Sequence, residues 1–270
     1  MNVVDCNRIF IRIFPYMIRK HLKSKNLTHN EFQLRGLDNT RVEALSDGVF
    51  ALAITLLLIS TEVPNTFDEL KEFLKNFFPF AATITILTLI WYQHYIFFVR
   101  YGLKDAMIVA INTLLLFLVL FFVYPLKFLF QVLFDLFAAL ILNDQKALEI
   151  LFSEVINAND APTLMIIYGA GSTLVFLTMA WMYFIALKRR EYLKLSPLEI
   201  FDTRSNIYTN LCMASIPFLS TLIALFGIGG GGSLTFSIAG IFYMTYIIVM
   251  PLYGYNRGRA RKKFITDMNK

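Results

Sequence analysis

Ser46, Asp47 and His94 together supply the side-chain types of a nucleophilic hydrolase, a proton relay or part of a metal site. Ser46 and Asp47 are neighbours, so on a helix their side chains point roughly 100° apart and cannot flank one imidazole as a triad does. No hydrolase follows. His21 and His29 lie without ligand spacing, Cys6 and Cys212 are far apart, and the Gly-rich GIGGGGS at 227–233 lacks the lysine and strand of a phosphate loop. The chain reads as a non-enzyme with no metal set and no cofactor. Asp47 remains, with His94 as the group that could pass it a proton or latch it through a hydrogen bond.

Asp47 lies in RVEALSDGVFALAITLLLIS, where Arg41, Glu43, Ser46 and Asp47 precede an apolar run at 49–59. The surrounding chain explains why such a placement demands partners. Its 270 residues are 57% hydrophobic and 16% charged, with a mean hydropathy of +0.60, too apolar for a soluble domain. This is an all-α integral membrane protein, and a carboxylate inside one of its helices is costly unless paired or wet. A crossing needs about 20 mainly apolar residues, and six segments meet or approach that length: 44–61, 70–99, 106–126, 163–187, 207–226 and 233–253. Pro64 and Gly227 stand where helix stops belong. Residues 127–142, KFLFQVLFDLFAALIL, carry Lys127, Gln131 and Asp135, and are expected to continue the third helix along the outer face.

Charge sets the orientation. Twenty-one Lys and Arg fall in residues 1–41, the second-to-third loop, 188–204 and 257–270, against three on the opposite side. That asymmetry predicts a multi-pass cell-membrane protein with both termini cytosolic. Its basic segments then face membrane lipid or cytosol, and nucleic acid is not a partner. The stretch IFIRIFPYMIRKHLKSK is interrupted by Arg12, Arg19 and Lys20 and lacks a small-residue cleavage site, so a cleaved signal is not expected. Three parts result: a basic cytosolic tail at 1–40, a six-helix domain at 41–256 and a basic cytosolic tail at 257–270.

Within the first helix, Leu45, Gly48, Leu52, Leu56 and Ile59 fall in one stripe with Thr55 on its shoulder, while Asp47 points about 140° away from Leu52. Such a stripe ordinarily contacts lipid or packs on another helix. The second helix runs back antiparallel, so His94 arrives at the depth of Asp47, and Trp91 lies one turn deeper, able to cover the pair. A hydrogen-bonded latch between Asp47 and His94 is the expectation.

These residues resemble the transmembrane protein 175 family of potassium channels. Arg41, Ser46 and Asp47 look like its RxxxFSD motif, WYQHYIFF at 91–98 like its W-x-x-H-H-x-x-F signature, and INTLLLFLVLFFVYPLK at 111–127 like its third helix, with an early Asn and a late Pro. Leu45 stands where the motif has Phe, and Tyr95 where it has a second His, so no role of that His carries over. The resemblance implies six transmembrane helices per subunit and a homotetramer in which the first helix lines a central pore conducting potassium ions. It also implies an apolar constriction at positions aligning with Leu52, Leu56 and Ile59, and a packing network of Arg41, Ser46, Asp47, Trp91 and His94. A proton-conducting channel or a secondary ion transporter is the alternative. No TVGYG filter is present; LYGYN at 252–256 is expected to be a helix terminus, and the Thr55 hydroxyl is the candidate for ion selectivity.

Overall fold

The computed structural model describes residues 32–38, 40–59, 64–157 and 160–268. His21, His29 and Cys6, and the tail up to residue 31, lie outside the described residues. Among the described residues all regular structure is helical: α1 (Arg41–Ile59), α2 (Phe67–Lys75), α3 (Phe77–Tyr101), α4 (Ala106–Leu142), α5 (Gln145–Ile150), α6 (Ala161–Lys188), α7 (Pro197–Leu225), α8 (Gly232–Tyr243) and α9 (Thr245–Met268). A π turn at Leu151–Val155 follows α5. Six stretches are long and apolar enough to cross a membrane, with α2–α3 and α8–α9 each counted as one.

Local rules fix most helix ends. Thr40 caps α1: its hydroxyl accepts from the Glu43 amide and donates to the Glu43 carboxylate, both at 3.2 Å. This capping arrangement, written T-x-x-E, starts the helix three residues before the apolar pattern does. Ser196 and Glu199 form a full capping box with Pro197 in the first turn, so α7 begins ten residues ahead of its expected span. Gly102 (φ 58°) closes α3 and Gly227 (φ 59°) follows α7, where left-handed backbone is least costly for glycine. Asp105 caps α4, which runs unbroken through Pro125 for 37 residues, about 55 Å at the rise of an α-helix. Residues 127–142 are therefore the continuation that the sequence suggested.

Two expectations change, and the basic C-terminal segment gains a definite structure. The second span is two helices, α2 and α3, divided at Asn76. Residues 252–256 lie inside α9, not at its end. Residues 257–268 are helical and docked, since Arg261 forms an ion pair with Asp202 of α7 at 3.0 Å and Arg257 donates to Asn206 at 2.9 Å. This basic segment is thus held to α7 through its guanidinium groups.

Packing divides into two halves joined by α4 and α6. The helices α6 and α7 lie against each other along their length and carry α8 and α9, while among the described helices α1 packs against α3 and α4. Close approach requires small residues: a Cβ on Gly169 of α6 would meet the Thr221 hydroxyl at 2.0 Å and the Pro217 carbonyl at 2.8 Å. The edge position of α1 leaves one of its faces uncovered by the described residues.

Candidate functional site

That edge helix has two opposed faces. Glu43, Ser46, Phe50, Ala53 and Leu57 recur at helical spacing and are buried. Phe50, Ala53 and Leu57 pack with Leu87 of α3 and with Leu116, Val119 and Val123 of α4. About 145° around the helix, Leu45, Leu52 and Ile59 are 63%, 49% and 71% exposed, and Thr55 is exposed with them. Leu56 lies on the flank nearer the core and is half-buried. Apart from Leu56, the apolar stripe read from the sequence thus faces away from the core of the described chain.

Polar contacts hold the buried side in register. Trp91 Nε1 of α3 donates to Asp47 Oδ1 at 2.8 Å. Ser46 Oγ donates to the Val42 carbonyl at 2.8 Å, which leaves its oxygen to accept from Asn112 Nδ2 of α4 at 2.9 Å. Asn112 Oδ1 then lies 2.7 Å from His94 Nε2. With Asn112 Nδ2 donating to Ser46, Asn112 Oδ1 is the acceptor toward His94, so His94 carries a proton on Nε2 and the series runs from His94 through Asn112 and Ser46 to the Val42 carbonyl. Three helices are joined by a one-way series of donors.

The expected pairing of Asp47 with His94 is therefore replaced by two separate contacts. The physical reason is rotation about the helix axis: Asp47 lies on the flank of α1 toward Trp91, whereas Ser46 points inward toward Asn112. His94 is buried between Phe50 and Phe98, with ring centroids 5.9 and 4.7 Å away. Tyr95, at the place of the motif's second His, stacks on Trp91 at 5.8 Å. Asn112 is the residue that motif reasoning left without a role. Its signal was present, because an amide inside an otherwise apolar helix needs a partner as much as a charge does.

Arg41 stands apart from this network. It is exposed, and among the described residues its side chain joins none of these contacts. Just before it, residues 32–38 are anchored to the fold. Arg35 makes a two-pronged contact with Glu199 of α7, both nitrogens at 2.9 Å, and its Nε donates to the Leu193 carbonyl at 2.7 Å. The Gly36 amide donates to the Val99 carbonyl at 3.0 Å. A Cβ on Gly36 would fall 2.0 Å from the Phe98 carbonyl oxygen, so only glycine lets the strand lie on the end of α3. Residues 32–38 thereby tie the start of α1 to both halves of the fold. Between the start of α4 and the end of α6, Arg189 forms an ion pair with Asp105, whose carboxyl those hydrogen bonds hold below the ordinary carboxylate range despite some desolvation.

Thr55 donates its hydroxyl proton to the Ala51 carbonyl at 2.8 Å. Thr55 is exposed, so its oxygen keeps accepting capacity on the uncovered side of α1, the polarity a cation needs.

Comparison with known proteins bears on this arrangement. A family model described as endosomal/lysosomal potassium channel TMEM175 matches residues 41–122, the segment that holds Ser46, Asp47, Trp91, His94 and Asn112. A potassium channel of Marivirga tractuosa is 39% identical over 236 residues, covering 87% of this chain and 94% of that protein. A potassium channel of Chamaesiphon minutus is 32% identical over 93 residues, 32% of this chain and 46% of its own length. Among solved structures, a variant of the potassium channel MtTMEM175 in complex with a nanobody fusion aligns with a TM-score of 0.76 and 38% identity. That alignment covers 86% of this chain and 98% of the channel.

Proposed function

Because the chain belongs to the TMEM175 family, we propose that it is one subunit of a potassium-selective homotetrameric channel, with α1 of each copy on the central axis. Leu52, Leu56 and Ile59 form its hydrophobic constriction, and Thr55 offers oxygen lone pairs beside them. The observation that carries this reading is the division of α1 into two faces. One is fixed to α3 and α4 by the polar series and by Phe50, Ala53 and Leu57, and the other presents Leu45, Leu52, Thr55 and Ile59 uncovered by the described residues, with Leu56 half-buried on its flank. A ring of such stripes gates by dewetting, since ions leave a constriction too narrow and too apolar to keep them hydrated.

The charge distribution supports a cytosolic position for both termini. Arg35, Arg189 and Arg261 find their partners Glu199, Asp105 and Asp202 at one end of the bundle, the end that also carries Arg100, Lys104 and Lys194. A proton path through Asp47 and His94 receives no such support. The donor series from His94 ends on the Val42 carbonyl, and Asp47 is occupied by Trp91.

The test is a flux assay in liposomes with potassium, sodium and an impermeant organic cation, comparing the unaltered chain with Leu56→Asn. A polar ring holds water, so the variant should raise cation leak several-fold. Equal flux in both would remove Leu56 from the constriction, and absence of potassium flux in the unaltered protein would sink the channel reading.

A further inference from the structure

A pocket of about 290 Å³ opens at the start of α1, lined by Arg35, Asp38, Thr40, Arg41, Gly102 and Lys104. With a liquid water occupying about 30 Å³, it has room for a tetrahedral oxyanion and several waters. Its charges are unevenly committed. Arg35 is neutralised by Glu199 and forms a fixed wall. Arg41 and Lys104 are exposed and make no hydrogen bond or ion pair with the described residues. Asp38 offsets one of them, leaving the pocket with one uncompensated positive charge. The pocket also lies over the first turn of α1, where the amides of Arg41 and Val42 have no acceptor within the helix.

From this geometry we propose that the pocket binds a singly charged phosphate group, with Arg41 and Lys104 as its charge-bearing contacts. The charge matches a phosphodiester, and the pocket lies between the ends of membrane helices on the basic side of the protein, where anionic headgroups concentrate. Arginine reaches phosphate oxygens in pairs and lysine adds a point charge. The inference does not depend on ion conduction. It gives Arg41 a role that the network of Ser46, Asn112 and His94 does not supply.

Full-length protein in neutral detergent should be titrated calorimetrically with dioctanoyl phosphatidylglycerol, dioctanoyl phosphatidylcholine and sodium phosphate. Saturable binding of phosphatidylglycerol, with little binding of phosphatidylcholine, is the expected result. Lys104→Gln should weaken it about tenfold, and Asp38→Asn should strengthen it about threefold, because a charge-assisted contact is lost in one and a like charge in the other. Both positions are exposed, so these variants keep the test open should Arg41→Gln fail to fold. Lys71→Gln, on α2, should change nothing. If phosphatidylglycerol alone binds with this variant pattern, the source is a lipid headgroup; if sodium phosphate binds with the same pattern, it is a free anion. Absence of saturable binding by either ligand, or affinities unmoved in both Lys104→Gln and Asp38→Asn, overturns the proposal. So does an assembled structure in which a neighbouring subunit's carboxylate pairs with Arg41.

Discussion

The indole of Trp91 donates to Asp47 Oδ1 at 2.8 Å, joining α3 to the flank of α1 across 44 residues of sequence. Trp91→Phe keeps an aromatic ring but leaves the half-buried carboxylate without its donor. The expected cost is about 1–3 kcal/mol, the range for stranding a buried acceptor. Thermal melts in detergent should show Trp91→Phe clearly below the unaltered protein. Adding Asp47→Asn should recover part of the loss, because an amide tolerates an unfilled site better than a charge does. If the double variant melts no higher than Trp91→Phe, the bond is not what links these helices.

Asn112 takes part in two contacts and Ser46 receives only one of them, so their substitutions should be ordered. Asn112→Leu strands both the His94 Nε2 proton and the Ser46 oxygen, while Ser46→Ala frees only one amide hydrogen. We expect Asn112→Leu to lower stability by about 2 kcal/mol or more and Ser46→Ala by about 1 kcal/mol. Denaturation monitored by tryptophan fluorescence measures both, and a reversed order would contradict the direction assigned to the donor series.

Thr55 offers a subtler contrast. Thr55→Val removes the whole hydroxyl at nearly constant volume: its bond to the Ala51 carbonyl, whose oxygen keeps its helical partner, and the lone pairs on the exposed side of α1. Reversal potentials under mixed potassium and sodium should show a lower potassium preference in the variant. An unchanged permeability ratio would leave Thr55 with only a structural part.

Asp105 provides the pH dependence. Arg189 holds its carboxyl below the ordinary range, so the folded protein binds that proton more weakly than the unfolded chain does. The stabilisation is therefore complete above the ordinary carboxylate range near pH 4 and is lost as pH falls through the depressed folded value. Both side chains are about one-third exposed, so the effect is modest. Melting points between pH 7 and pH 3 should fall less steeply in Asp105→Asn, which keeps the capping oxygen for α4 but has no charge to lose. Parallel curves would show that other carboxylates govern the acid limb.

Much of this protein is set by local chemistry and is legible residue by residue. Length and hydropathy give six crossings, and the T-x-x-E and S-x-x-E patterns give the starts of α1 and α7, though the apolar pattern alone misplaces both. The 3.6-residue period places Leu45, Leu52, Thr55 and Ile59 together on the outer face of α1, because a helix fixes which residues share a side whatever surrounds it. Which side chain meets which across helices is a different matter. Asp47 took Trp91 instead of His94, and His94 took Asn112, because partner choice depends on how far each helix is rotated about its own axis, and that rotation is decided by the packing of Phe50, Ala53, Leu57 and their neighbours. The same holds for Arg35 with Glu199 and Arg261 with Asp202, separated by 164 and 59 residues. Charge shows that such groups need partners, but only the assembled bundle, by bringing distant helix ends to one level, decides which partners they find.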